Sequence, residues 1–225
     1  MGLALALKEG TKKSHSAAEN TKFVSGFLKG VLDPEQYRQL LTNFYYVYQT
    51  MEEQIRKSED PWVKIISGFQ GELERVNNLE RDLRYFYGPN WRALQIPTEA
   101  CNTYCYRINQ VAEEDPYLLI GHHYTRYIGD LSGGQILCNI AQKALNPPKG
   151  EGLWFYDFSK IPDAKEFKNN YRNVLDNLGL DESQTNALIT EANYAFRLNM
   201  YLFDEIQGSA TKGFWKVLLG FLRGN

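Results

Sequence analysis

The chain has 225 residues, 43% of them hydrophobic and 23% charged, enough for one globular domain with a core and room for a ligand. A net charge of −2 supplies no global basic field, so nucleic acid is not expected as a partner and any cationic site must be local. Cys101, Cys105 and Cys138 are odd in number and lack CxxC spacing, which favours buried apolar thiols in a reducing compartment over a disulfide framework or a zinc site.

Met1 to Gly10 has no basic leader region and no small-residue cleavage pattern, and Ala6 stands where a myristoylation signal needs Ser or Thr. Export is not expected, and the location reads as cytoplasmic. The following stretch, KEGTKKSHSAAEN, spaces Lys8, Thr11, Lys12, His15 and Glu19 by three and four, so they share one helical stripe. Such a strip is either a solvated face with a surface histidine, or a cationic edge leading to one ligand with a carboxylate a turn beyond.

Apolar residues recur at three and four through LTNFYYVYQTMEEQI, NNLERDLRYFY, CNTYCYRINQVA, YLLIGHHYTRYI, EFKNNYRNVLDNL and DESQTNALITEANYAFRLNMYLFDEI. Breaks fall at Leu32-Asp33-Pro34, Asp60-Pro61, Gly88-Pro89-Asn90, Asp115-Pro116 and Asn146 to Gly150. No alternating β-branched run is long enough for a sheet. The expected fold is all-α, one domain of about eight helices in a layered bundle, without repeats or a flexible linker. Asn146 to Pro162 carries Trp154, Phe155, Tyr156 and Phe158 and should pack as an ordered loop. Gly213 to Asn225 is interrupted by Lys216 and Arg223 and is too short to span a bilayer, so it reads as a terminal amphipathic helix.

The segment YTRYIGDLSGGQIL, Tyr124 to Leu137, places two adjacent glycines inside a helical pattern, where each costs roughly 1 kcal/mol relative to alanine. At about 100° per residue, Tyr124, Tyr127, Ile128 and Leu131 form one apolar stripe and Leu137, Ile140, Ala141 and Ala144 another. A bend at Gly133-Gly134 would let both be buried. Gly129 and Gly133 stack on one side beside Asp130, and their bare backbone suits either close helix packing or a flat ligand lying against the helix.

Elsewhere the bland readings stand beside the functional ones. His122 and His123 point about 100° apart on a helix, cannot chelate one metal together, and read as structural histidines. Phe196, Asn199 and Phe203 form a core stripe with one polar member, Lys168 and Arg172 an ordinary i, i+4 basic pair, and Tyr48 lies in a tyrosine-rich helix where packing is the default role. Taken together, a lone histidine on a cationic helix and a second helix with bare backbone suggest a porphyrin held between them.

With these residues in hand the sequence resembles the biliverdin-producing heme oxygenases. The matching segments are LKEGTKKSHSAAEN, YVYQTMEEQI, LERDLRYFYGPNWR, HHYTRYIGDLSGGQIL followed by NIAQKAL, GEGLWFYDF, FKNNYRN and EANYAFRLNMYLFDEI, running from about Leu5 to Gln207. TRYIGDLSGG is the most specific of them. Cys105 and His123 are not typical of the family, and Val63 to Gly71 lacks the aromatic-proline element of animal relatives. The likeness is strongest to the short cyanobacterial and algal enzymes.

The resemblance implies that heme b is both cofactor and substrate. It makes His15 the iron ligand with Glu19 beside it. Lys8, Thr11, Lys12, Tyr124, Thr125, Lys168 and Arg172 fall at positions that hold or flank the heme and its propionates. Gly129, Ser132 and Gly133 correspond to the distal helix, and Phe196, Asn199 and Phe203 to the pocket wall. Tyr48, Arg126 and Asp130 belong to a distal hydrogen-bonded water network, with Asp130 acting on oxygen through water. The implied reaction cleaves the α-meso carbon with O2 and supplied electrons, giving biliverdin IXα, CO and ferrous iron. Ferredoxin is the implied donor, a bilin reductase a downstream partner, and the monomer the default state. A heme carrier or sensor without turnover is the main alternative, as is a different substrate on the same helical fold; neither would need the aspartate of GDLSGG.

Overall fold

Helix starts are written in the chain as acids followed by proline or polar caps. In the computed structural model, which describes residues 2–148 and 150–207, Asp33 accepts from the backbone of Glu35 and Gln36 and Pro34 follows at the first turn, opening α3 (Pro34–Lys57). Asp60-Pro61 repeats the device for α4 (Pro61–Ser67), and Asp181 with Gln184 forms a full capping box for α12 (Glu182–Ile206). The remaining elements are α1 (Leu3–Glu19), α2 (Lys22–Leu28), α5 (Gln70–Leu73), α6 (Val76–Tyr87), α7 (Trp91–Leu94), α8 (Glu99–Glu114), α9 (Leu119–His123), α10 (Gly129–Leu145) and α11 (Ala164–Asp176).

The fold is all-α, and no strand occurs among the described residues. There are more helical segments than the periodicity predicts, because α4, α5 and α7 are only four to seven residues long and carry too few turns to show a period. No helix among the described residues is long and apolar enough to cross a membrane. The predicted terminal helix at Gly213 to Asn225 lies outside the described residues.

Two long helices form the centre. α3 packs on α6, α8, α9 and α12, while α12 also carries α1, α2, α8 and α9. Burial of Leu41, Val47, Tyr48 and Met51 on α3 and of Leu188, Ala195, Leu198 and Leu202 on α12 supplies the main apolar contribution, about 1.5–3 kcal/mol for each large side chain. Close approach is enforced at Gly10, where a Cβ would stand 2.6 Å from Ile189 Cγ2 on α12, so α1 lies directly on that helix.

The aromatic loop after α10 is ordered, as expected. Phe155, Tyr156 and Phe158 are buried, and both oxygens of the buried Asp82 carboxyl accept backbone N–H groups, from Trp154 and Phe155, at 2.8 Å. Tyr156 lies against Gly134, and its carbonyl accepts from Gln135, so the loop braces the middle of α10.

The predicted bend at Gly133-Gly134 is not where the irregularity falls. α10 runs through both glycines, and the departure from α geometry is a π turn at Tyr124–Ile128, joining α9 to α10. Burying both stripes is not required either: Ala141 is buried, Leu137 and Ile140 are half-buried, and Ala144 is exposed. Within the π turn, three consecutive side chains are held by other helices. Thr125 Oγ1 reaches Ala192 O at 3.5 Å, Arg126 reaches Tyr48 and Asn199, and Tyr127 donates to Glu52 at 3.0 Å. A widened turn at such a place is a recognised mark of functional strain in a helix.

Candidate active site

The proximal side is built on α1. Lys8, Lys12, His15 and Glu19 are exposed along one stripe, whereas Thr11 is buried, donating to Leu7 O at 2.7 Å and pairing with the Tyr124 hydroxyl. Thr11 therefore braces α1 against the π turn. The His15 side chain is 55% exposed, with Nδ1 facing Glu19 Oε2 at 3.7 Å, which leaves Nε2 free. Its ring stands edge-on to Phe196 of α12 at 5.7 Å.

The opposite side is the glycine face of α10. A Cβ built on Gly129 or on Gly133 would meet no heavy atom within 4 Å. Close helix packing is thus not what these glycines serve; their backbone faces open space. Ser132 is exposed on this face, and Lys168 Nζ of α11 lies 3.4 Å from its Oγ. Burial raises the Tyr124 phenol, and Arg172, exposed one turn on from Lys168, works against that rise. Thr125 instead faces α12 through its contact with Ala192.

Beside the glycines lies a connected polar cluster. Tyr48 donates to Asp130 Oδ2 and accepts from Arg126 Nε at 3.0 Å, while Arg126 Nη2 meets Asp130 Oδ1 at 3.0 Å. Arg126 Nη1 donates to Asn199 Oδ1 at 2.5 Å, and its guanidinium lies over the Phe44 ring at 4.4 Å. Burial pushes the Asp130 carboxyl well above the usual carboxylate range and lowers Arg126. Yet Asp130 keeps an open edge, its side chain being 12% exposed. A carboxyl of this kind can hold a proton near neutrality and present it to a neighbouring water.

On α12, Phe196, Asn199 and Phe203 divide the work that their spacing suggested. Phe196 supports His15, Asn199 fixes Arg126, and Phe203 stacks on Phe23 of α2 at 5.7 Å. Sequence reasoning missed Tyr104, which receives Asn199 Nδ2 at 3.4 Å, and Glu52, whose Oε1 accepts from Arg75 N, Val76 N and the Tyr127 hydroxyl. Both lie in ordinary helical patterns, and only the crossing of helices distant in the chain gives them partners.

His122 and His123 are structural. His122 Nε2 meets Glu191 Oε1 at 2.8 Å, and Glu191 also takes both arms of Arg107; burial raises that carboxyl, but these bonds outweigh it and hold it at about 2. His123 Nδ1 pairs with the Tyr171 hydroxyl at 2.8 Å. No group of three or more metal-ligating side chains occurs among the described residues.

Glu52 makes stability depend on pH. Burial lifts its carboxyl from 4.5 to about 7, and its Oε2 can carry the proton while Oε1 keeps its three donors. Because the folded value lies above the unfolded one, this contribution is full below about pH 4.5 and is lost as pH rises through 7. Glu191 works the other way, its contribution fading only as pH falls towards 2. Denaturant unfolding at about pH 5 and about pH 8 should therefore show Glu52→Gln losing, relative to the unmodified chain, the part of the stability that this carboxyl adds at the lower pH; an unchanged pH dependence in that variant would contradict the assignment.

An all-α scaffold with one exposed imidazole on α1 and, on α10, a glycine face with a buried carboxyl beside it has the form of a heme enzyme of the heme oxygenase type. The chain belongs to the heme oxygenase family, whose model matches residues 1–205. The heme oxygenase of Guillardia theta is 46% identical over 98% of this chain and 92% of its own length. Heme oxygenase 1 of a Nostoc species is 48% identical over 98% of this chain and 92% of its own. Among solved structures, heme oxygenase-1 of the cyanobacterium Synechocystis, in complex with heme, is similar with a TM-score of 0.88 and 45% identity, covering 99% of this chain and all of the other.

Proposed function

We propose that this chain binds heme b between α1 and the glycine face of α10 and cleaves it oxidatively at the α-meso carbon. The products are biliverdin IXα, CO and ferrous iron, and the bilin feeds pigment synthesis through a downstream bilin reductase. The observation that carries the reading is the open space over Gly129 and Gly133, with Asp130 beside them on α10, together with an exposed His15 on α1 whose Nδ1 side is taken by Glu19. Bound heme supplies the iron, the activation of O2 and the carbon that is oxidised.

O2 and electrons come from outside, the electrons from a reductant such as ferredoxin, and the protein's residues hold and orient the heme and move the proton. His15 Nε2 holds the iron, and Glu19 near Nδ1 favours the tautomer with its proton on that side. Lys8, Lys12, Lys168 and Arg172 meet the propionates; each sheltered charge-assisted contact is worth about 1.5–3 kcal/mol, so several together select one orientation. Gly129 and Gly133 keep side chains off the distal face. Asp130 delivers a proton through water at that face, while Tyr48 and Arg126 hold its carboxyl in place and Asn199 fixes Arg126.

Two measurements follow. Gly133→Leu should fold normally, since its side chain enters open space, yet weaken hemin binding or slow turnover by roughly tenfold or more, as expected when bulk enters a ligand's volume; unchanged binding and turnover would refute the close approach. For the reaction, hemin and O2 are supplied with either ferredoxin and its reductase or a flavin reductase. Loss of the Soret band into a bilin spectrum, faster with ferredoxin, supports both the activity and the donor. A persistent Soret band with either donor would refute the activity.

A further inference from the structure

His123 and Tyr171 are both fully buried, their rings lie parallel within 3° with centroids 5.5 Å apart, and Nδ1 lies 2.8 Å from the phenol oxygen. Burial holds the imidazole neutral, with a pKa near 3, and raises the Tyr171 phenol well above its ordinary range. Nδ1 and the phenol share this hydrogen bond, its direction following the imidazole tautomer, and Nε2 has no hydrogen-bond partner among the described residues. A buried polar group left so is a cost that an apolar residue at 123 would avoid. Its retention needs a reason beyond packing.

The location supplies one. His123 is the last residue before the π turn, and Tyr171 lies on α11 between Lys168 and Arg172. The other face of Tyr171 packs on Phe69 at 5.0 Å, and Phe167 packs on the same ring at 5.4 Å. At its far end α11 is tied to α1 by Asp176, which accepts Ala4 N at 2.8 Å. Among the described residues, the middle of α11 has one buried directional bond to the distal rod formed by α9, the π turn and α10, and it is this one; Lys168 Nζ also reaches Ser132 Oγ at 3.4 Å, but at an exposed position.

Resting on the reading of the heme site above, we propose that His123 and Tyr171 are a positioning pair that sets α11 in register against the distal rod, and so fixes where Lys168 and Arg172 hold the heme edge. Neither residue touches the ligand. Their effect is on the in-plane rotation of the macrocycle, and through it on which meso carbon is presented.

The test compares Tyr171→Phe, His123→Leu and the double variant with the unmodified chain. In the heme-free proteins, amide exchange of residues 164–176 should quicken about fivefold in Tyr171→Phe, the scale of one lost neutral hydrogen bond, with other helices unchanged. With hemin and cyanide bound, the proton NMR pattern of the heme methyls should shift in all three variants, and turnover should yield bilin isomers besides the unmodified chain's main product. The double variant removes both partners, so its thermal stability should recover towards that of the unmodified chain while the altered methyl pattern persists. A merely structural pair would have pattern and stability recover together, and that result, or an unchanged methyl pattern in Tyr171→Phe, overturns the proposal. Failure of the unmodified chain to bind hemin would overturn the heme reading, and the exchange arm would then still report whether the pair registers α11.

Discussion

His15→Ala is expected to leave the fold intact and to abolish the axial-histidine signature of the hemin complex together with most turnover. The side chain is more than half exposed, and its contacts are Glu19 at 3.7 Å and the edge of Phe196. Truncation at such a surface position costs within about 0.5 kcal/mol, so Tm should hardly move. No other histidine can take over. The chain has three, and His122 and His123 are buried and engaged with Glu191 and Tyr171. Electron paramagnetic resonance or resonance Raman of the ferric complex reads the ligand directly, and added imidazole should restore part of it. Retained histidine ligation in the variant would remove His15 from the account.

Asp130→Asn is expected to keep hemin binding and lose biliverdin yield by roughly 10²–10³-fold, the range general acid–base groups contribute. Asparagine can still pair with Tyr48 and Arg126, so the cluster survives, but it has no carboxyl proton to pass on. Asp130→Ala should lose the same chemistry and some stability besides, because it leaves the buried Arg126 Nη2 and the Tyr48 hydroxyl without the oxygens that accept from them. Separating the two variants by Tm divides the structural part of the carboxylate from its proton. A normal bilin yield from Asp130→Asn would show that the acid function lies elsewhere.

Much of this was legible in the chain because it is local. Asp33-Pro34 and the Asp181 box act within four residues, so the starts of α3 and α12 could be read directly, whereas Asp60-Pro61 showed only as a break because α4 behind it is too short to have a period. The stripe from Lys8 to Glu19 and the Gly129, Asp130, Gly133 set follow one helix's period, and the structure keeps each on its own helix. What was not legible depends on helices crossing. The π turn displaced the expected bend because Thr125, Arg126 and Tyr127 answer to α3 and α12, contacts separated by 67 to 78 residues. Thr11 left its cationic stripe for Tyr124 for the same reason, and Tyr104 and Glu52 gave no signal at all.

The central claim is that heme lies between His15 and the bare backbone of α10, and locating the iron tests it most directly. Crystals grown with hemin and measured at the iron absorption edge should show the anomalous peak within bonding distance of His15 Nε2, with Gly129 and Gly133 across the ring plane. An iron peak beside any other side chain, or a ring lying away from the glycine face, would contradict the account.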